Sequence, residues 1–198
     1  MMNTDNDIEI QTRRWLELVV VGCHFCPFAQ RELQRDSIHY AVLRNADMAA
    51  ALSGVLEECL RLDREPAIST SLLIFADTFL QFEEFLLLLD NADSLLQQQG
   101  YEGTYQLASF HPDYCFADSL PDDAANYTNR SPYPMLHLLR EADIEQALAN
   151  TPQPERIPER NIEYARQQGN AKMQALLKAC QPNPAAPKNP QDDENEDA

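Results

Sequence analysis

The sequence predicts an α/β fold, a single domain in which a mixed or mainly parallel sheet of about four strands carries helices packed on it. Three observations lead to this prediction. Short apolar runs alternate with segments of helical periodicity along the chain. The connections 45–70 and 77–103 are long enough for crossover helices. The run SLLIFA (71–76) is almost continuously apolar, which is typical of a central strand covered on both faces.

Each predicted strand is a short run rich in apolar residues. IHYAVLR (38–44) and 71–76 are the first two, TYQLASF (104–110) is the third and MLHLL (135–139) is the fourth. His137 falls inside the last run, and we interpret it as a core histidine whose hydrogen bonds are satisfied; the alternative is that it acts as a ligand.

The helices are predicted from apolar residues at helical spacing and from residues that favour helix ends. The first, 9–21, places Trp15, Leu18 and Val19 on one face. Thr78 and Gln81, three residues apart, predict a capping box. The remaining helices are predicted from Pro27 to about Leu33, over 47–62, from the capping box to about Gln98, over 143–149, between Pro158 and Gly169, and around Met173 to Cys180.

The two ends of the chain differ in composition from the predicted domain, 9–180. The first eight residues are polar and are expected to be flexible. QPNPAAPKNPQDDENEDA (181–198) is rich in proline, asparagine and acid and lacks bulky apolar residues. Such a segment cannot bury enough surface to offset its ordering entropy, so it is predicted to be a disordered tail.

Charge and cysteine content narrow the expected partners and compartment. The chain has 15 Lys and Arg against 32 Asp and Glu, a net charge of −17. This balance disfavours nucleic acid and anionic membrane surfaces as partners. The longest apolar runs are too short to span a bilayer, and the start of the chain does not resemble a signal peptide. Five cysteines, an odd number, are then expected to be reduced thiols of a cytoplasmic protein.

The segment CHFCPFA (23–29) carries the first candidate site residue. Cys26 precedes Pro27, so it is predicted at the N-cap of a short helix, where free N–H groups favour a thiolate. Arg31, one turn later, would add to this effect. The alternative is that Cys26 and Cys23 are small buried side chains at a helix junction. A redox function for the C-x-x-C spacing is a minor alternative, because the proline follows the second cysteine.

The long polar connection 111–134 carries the second set of candidates. Loops of this length inside a domain are functional or disordered. His111 directly follows the third strand, and ligands of α/β sheets bind beyond the carboxyl ends of strands. Asp113 and Tyr114 are expected to project into the same region.

Arg130 is the predicted clamp for a carboxylate or phosphate, with Asn129 and Ser131 completing the contact. The alternative is that these side chains tie down the long loop through turn and capping hydrogen bonds. Nucleotide-binding glycine motifs and H-E-x-x-H are absent from the sequence, so no motif names a cofactor.

Several long motifs resemble a known family. TRRWLELVV (12–20), FCPFAQREL (25–33), YQLASFHPDY (105–114), DDAANYTNRSPYPMLHLLRE (122–141) and IPERNIEYARQQG (157–169) are similar to the bacterial family called domain of unknown function 1415. The resemblance implies that Cys26 lies on the family pattern and that Cys23 does not. It also places His111, Pro112, Tyr114, Asn129, Arg130 and Ser131 on motif positions. The family has no established activity, so the resemblance names no reaction.

Three hypotheses follow. The first is an enzyme for a small anionic ligand, in which Cys26 and His111 are catalytic and the substrate is bound by Arg130, Asn129, Ser131 and Tyr114. The second is a non-catalytic module that binds a metabolite or a protein. The third is a mononuclear metal site formed by Cys26, His111 and an acid such as Asp113.

Overall fold

Helices and strands follow the predicted order in the computed structural model, which describes residues 3–149 and 151–181. Strands are β1 (Ile38–Leu43), β2 (Thr70–Phe75), β3 (Tyr105–Phe110) and β4 (Met135–Arg140). Helices are α1 (Asp5–Trp15), α2 (Ala29–Gln34), α3 (Met48–Arg64), α4 (Phe82–Gln98), α5 (Glu141–Ala149), α6 (Ile157–Gln168) and α7 (Asn170–Ala179). A π-helical turn, Leu16–Val21, continues α1, and 3₁₀ turns lie at Ala124–Thr128 and Pro154–Arg156.

The strands of the described residues form one mixed sheet in the order β1-β2-β4-β3, which confirms the predicted α/β class. β1 is parallel to β2, whereas β4 is antiparallel to both β2 and β3. β1, β2 and β3 therefore run in the same direction, and β4 is inserted between the last two. Every residue of β2 is buried, as the apolar run predicts.

Helices cover both faces of the sheet, and side chains of successive strand residues alternate between the two layers. On one face, Leu73 and Leu136 pack with residues of α3 and α4 such as Val55 and Phe85. On the other face, Leu72, Ile74 and Met135 pack with Trp15, Val19, Ala165 and Met173 from α1, the π-helical turn, α6 and α7. Residues 70, 137 and 139 belong to this second face by the same alternation.

Helix α1 begins at Asp5, four residues before the predicted start and within the segment expected to be flexible. The reason is a capping box in which Thr4 accepts from the Asp7 N–H and Asp7 accepts from the Thr4 N–H. Leu18 is exposed, whereas Trp15 and Val19 are buried as predicted. The π-helical turn changes the angular spacing of the side chains after Trp15, which a regular helical pattern does not anticipate.

Two further predicted helix starts are wrong. α2 begins at Ala29 with Phe28 at its N-cap, so Cys26 lies two residues before the cap. α4 begins at Phe82, and Gln81 at its N-cap makes no side-chain capping bond. The Thr78 hydroxyl is buried and has no partner among the described residues, so the predicted capping box does not form.

No helix within residues 3–149 and 151–181 combines the length and apolar character needed to cross a membrane. The predicted tail, 181–198, lies outside the described residues except for Gln181.

Candidate functional site

A cavity of about 300 Å³ lies on the sheet face that is covered by α1 and its π-helical turn, and we call it the sheet cavity. Its floor is formed by strand residues, and its walls by the π-helical turn, the residues around Cys26, and α5. The floor residues include Ile38, Thr70, Leu72, Gln106, Ala108, Phe110, His137 and Leu139. The wall residues include Trp15, Leu16, Val20, Cys26, Phe28, Ala29, Arg31, Glu32, Arg140, Asp143, Ile144 and Ala147.

His137 on β4 is the titratable side chain at the floor of this cavity, which also includes the polar side chains of Thr70 and Gln106. Its Nε2 lies 2.7 Å from the hydroxyl oxygen of Thr70 on β2. That hydroxyl also donates to the carbonyl oxygen of Leu138 at 2.5 Å. A threonine hydroxyl has one proton, and a carbonyl has none to give. The proton between Thr70 and His137 therefore belongs to Nε2, and Nδ1 of the neutral ring is an acceptor.

The surroundings of His137 keep the ring neutral. Burial lowers the pKa of His137 to about 4. The ring is enclosed by protein yet retains accessible surface, which is the surface that faces the sheet cavity. Nδ1 makes no hydrogen bond within the described part of the chain. The interpretation of His137 as a satisfied core histidine thus holds for Nε2 alone. The signal that could have singled it out is a polar ring in an otherwise apolar strand.

Cys26 lines the wall of the sheet cavity and is partly exposed, whereas Cys23 is buried. Burial raises the pKa of the Cys26 thiol, and the nearby N–H groups of Phe28 and Ala29 offset only part of this effect. Cys26 is therefore a neutral thiol at neutral pH. Cys23 and Cys26 are both free thiols.

Cys26 also lines a second cavity of about 280 Å³, which we call the loop cavity. This cavity is bounded by the segment around Cys26, by the long loop and by α6. Its lining residues are Val20, Phe25, Cys26, Phe110, Phe116, Thr128, Asn129, Ile157, Pro158, Asn161 and Ile162. The two sequence segments singled out above therefore meet here, and the two cavities share Val20, Cys26 and Phe110.

His111 lines neither of these cavities and is completely buried. Its Nε2 lies 3.1 Å from the carbonyl oxygen of Phe79, and its Nδ1 accepts from the Asp113 N–H at 3.0 Å. The ring packs on Phe82 and Phe85, with centroid distances of 5.2 Å in both cases. Burial lowers the pKa of His111. Both ring nitrogens thus take part in hydrogen bonds: Nε2 connects the end of β3 to the segment before α4, and Nδ1 holds the start of the long loop.

Arg130 contacts backbone carbonyls of its own loop. Its Nε donates to the carbonyl of Tyr114 at 3.1 Å and its Nη2 to that of Pro121 at 2.7 Å. Its guanidinium lies 4.7 Å from the ring centroid of Tyr127. In residues 3–149 and 151–181 it forms no ion pair with a carboxylate. The Arg130 carbonyl accepts from the indole N–H of Trp15 at 3.0 Å, which fastens the loop to α1.

The other predicted binding residues hold the same loop. The Asn129 amide donates to the Ser109 carbonyl at 3.2 Å, and the Ser131 hydroxyl donates to the Tyr133 carbonyl at 2.6 Å. The Tyr114 ring packs on Phe82 and Phe116. Among these residues, Asn129 is the one that lines either of these two cavities, namely the loop cavity. The residues described contain no group of three or more His, Cys, Asp or Glu side chains placed to hold a metal ion.

Charged side chains at the sheet cavity are paired. Arg31 lies 2.7 Å from Glu32, and Glu32 also accepts from the Ser37 hydroxyl at 2.6 Å. Burial alone would raise the pKa of Glu32, but its hydrogen bonds, that of Ser37 foremost, lower the pKa below its usual value. Arg31 is therefore engaged with Glu32 and is not a free cation beside Cys26.

Comparison with known proteins identifies a family and no characterised relative. The family model described as protein of unknown function, DUF1415, matches residues 7–175. A search of curated proteins and a search of solved structures each found no match.

Proposed function

Because the chain belongs to the DUF1415 family of proteins of unknown function, its activity has to follow from its own geometry, and we propose that it binds a small, largely apolar molecule in the sheet cavity. The observation that supports this proposal is the cavity itself, a space of about 300 Å³ with an unpaired ring nitrogen of His137 at its floor. Pockets of this kind, apolar with few polar groups, are typical of small-molecule sites.

The size of the cavity indicates the size of the ligand. An engineered apolar cavity of about 150 Å³ in another protein holds benzene. The sheet cavity, at about 300 Å³, is roughly twice as large, so it suits a molecule of roughly twelve non-hydrogen atoms. Such a molecule would contact an apolar lining that includes Trp15, Val20, Phe110 and Leu72.

Trp15 makes the proposal measurable, because it is the only tryptophan of the chain and lines the cavity. Titration with small apolar probes, from benzene to borneol, should shift Trp15 fluorescence and raise the melting temperature. Ala108→Leu adds bulk inside the cavity opposite His137 and should abolish both effects. Ala142→Leu, at an exposed position of α5, is the matched control and should leave binding unchanged. Wild-type protein that responds to none of the probes would exclude the proposal.

The alternative proposal is the enzyme with Cys26, His111 and Arg130 acting on a small anion. It is supported by the loop cavity, which brings Cys26 next to Thr128 and Asn129 of the long loop. An anionic substrate would there meet amide and hydroxyl groups and the Cys26 thiol. Modification of Cys26 by iodoacetamide faster than that of a free model thiol would favour this alternative.

A further inference from the structure

We propose that the ligand of the sheet cavity is a neutral molecule that donates an O–H or N–H hydrogen bond to Nδ1 of His137. This inference rests on the proposed function, since it assigns the chemical class of the molecule that the sheet cavity binds. It is supported by the proton arrangement at Thr70 and by the pairing of the charges that line the cavity.

The proton arrangement determines which partner His137 requires. Thr70 Oγ1 lies 2.5 Å from the Leu138 carbonyl oxygen, and two oxygens at this separation need a proton between them. The only available proton is that of the Thr70 hydroxyl. The contact of 2.7 Å between Oγ1 and His137 Nε2 then uses the proton of Nε2. Nδ1 is left with a lone pair, so it binds a donor and repels an acceptor.

The apolar surroundings of Nδ1 make its lone pair important for ligand binding. His137 stands in a strand interior, where its Nε2 side is fixed by Thr70 and its accessible surface faces the sheet cavity. The Phe110 ring lies with its centroid 6.1 Å from that of His137, so the edge of the site is apolar. An acceptor in such surroundings loses its hydrogen bond to water when an apolar ligand enters, and a donor on the ligand restores it.

The charges around the cavity favour a neutral ligand. Arg31 is paired with Glu32. Arg140 donates to the Tyr105 hydroxyl and to the Leu62 and Ile68 carbonyls, and its Nε lies 3.9 Å from Asp143. The lining therefore carries two cations and two carboxylates, each cation already engaged. Burial keeps the His137 ring uncharged at neutral pH, so the floor carries no positive charge that could compensate an anion.

Three rigid probes of similar size test the ligand class. Borneol has a hydroxyl donor, camphor has a carbonyl acceptor in the same position, and norbornanecarboxylate is an anion. Isothermal titration calorimetry on the full chain at neutral pH should show borneol binding roughly tenfold more tightly than camphor, as expected for one buried hydrogen bond. The carboxylate should bind most weakly.

The outcomes separate this inference from the proposed function. Equal affinity for borneol and camphor, or preference for the carboxylate, would overturn the donor assignment while leaving a binding cavity. Absence of binding by all three, together with the lack of a Trp15 response to the wider set, would overturn the proposed function itself.

Two further measurements keep the test independent of any one variant. ¹⁵N NMR of wild-type protein should show a protonated Nε2 and an unprotonated Nδ1 at His137, and Nδ1 should change its shift with borneol and not with camphor. His137→Gln retains a donor for Thr70 but places no acceptor where Nδ1 stands. It should bind camphor as the wild type does and lose the preference for borneol. A ring protonated at Nδ1 in the free protein would overturn the inference.

Discussion

The hydroxyl of Thr70 stands between the ring of His137, at 2.7 Å, and the carbonyl of Leu138, at 2.5 Å. Thr70 and His137 are 67 residues apart in the sequence, and the pairing of β2 with β4 brings them together. The hydroxyl is buried and satisfies both neighbours at once. It sets the tautomer of His137 and with it the polarity of the sheet cavity.

Replacing this hydroxyl should cost stability and disturb the tautomer. Thr70→Val preserves the shape of the side chain but leaves the Nε2–H of His137 without an acceptor. We expect the free energy of unfolding to fall by about 1–3 kcal/mol, the cost of an unsatisfied buried donor. Urea denaturation measures the loss, and ¹⁵N NMR reports the ring protons. Thr70→Ser, which retains the oxygen, is the control and should lose less. A Val variant as stable as the wild type would mean that the hydrogen bond contributes nothing net.

Acid should destabilise the fold partly through His137. The pKa of this ring is about 4 in the folded protein, against an ordinary value of 6.5. Between these values the unfolded chain binds more protons than the folded chain, so stability decreases as the pH falls from about 6.5 through about 4. Carboxylates with lowered pKa, such as Glu58 and Glu32, act in the same direction at lower pH.

The contribution of His137 is isolated by comparison with His137→Gln. The unfolding free energy of the variant should change less with pH than that of the wild type. The difference between the two changes should reach up to about 3 kcal/mol over this window. His111→Gln is the second comparison, because burial also lowers the pKa of His111. Parallel pH profiles of wild type and His137→Gln would contradict the expectation.

Cys26 should react slowly with alkylating reagents. Its pKa is raised by burial, so the thiolate fraction at neutral pH is below that of a free thiol. We expect iodoacetamide to modify Cys26 more slowly than a model thiol, and more slowly still when a probe fills the sheet cavity. Cys115→Ser removes the other partly exposed thiol and allows Cys26 to be followed alone by mass spectrometry. Faster modification than the model thiol would favour the enzyme hypothesis.

Arg130 should matter to the stability of the long loop. Lysine retains the charge but cannot donate to two carbonyls and also lie flat over Tyr127 as the guanidinium does. We expect Arg130→Lys to lower the free energy of unfolding by about 1–2 kcal/mol, measured by urea denaturation. Arg166→Lys, at an exposed surface ion pair with Asp123, is the control and should lose less. Unchanged stability with weaker binding of a small anion would favour a clamp function for Arg130.

Local patterns predicted the helices and strands because they are written in neighbouring residues. The apolar run of β2, buried at every position, and the alternation of helices with strands were sufficient for the α/β class. The starts of the helices were harder to predict from the sequence. The Thr4–Asp7 capping box uses an aspartate instead of the usual Glu or Gln, and the expected box at Thr78 and Gln81 does not form.

The order of the sheet depended on contacts that the sequence does not record locally. β4 lies between β2 and β3, so these two strands, which are consecutive in the chain, are not neighbours in the sheet. Strand pairing is a property of distant segments and of the layers that cover them, so periodicity alone leaves it open. Sequence motifs were enough to identify the family, which the match over residues 7–175 confirms.

By itself, the sequence determined the α/β class and pointed to Cys26 and the long loop. Only the tertiary structure decided that these two segments share the loop cavity, and that Cys26 also faces the sheet cavity with His137. The physical reason is that a histidine in an apolar strand has the same sequence signature whether its nitrogens are satisfied or free. The difference lies in the hydroxyl of Thr70, which donates its proton to the Leu138 carbonyl and accepts from His137 Nε2 only when β2 pairs with β4.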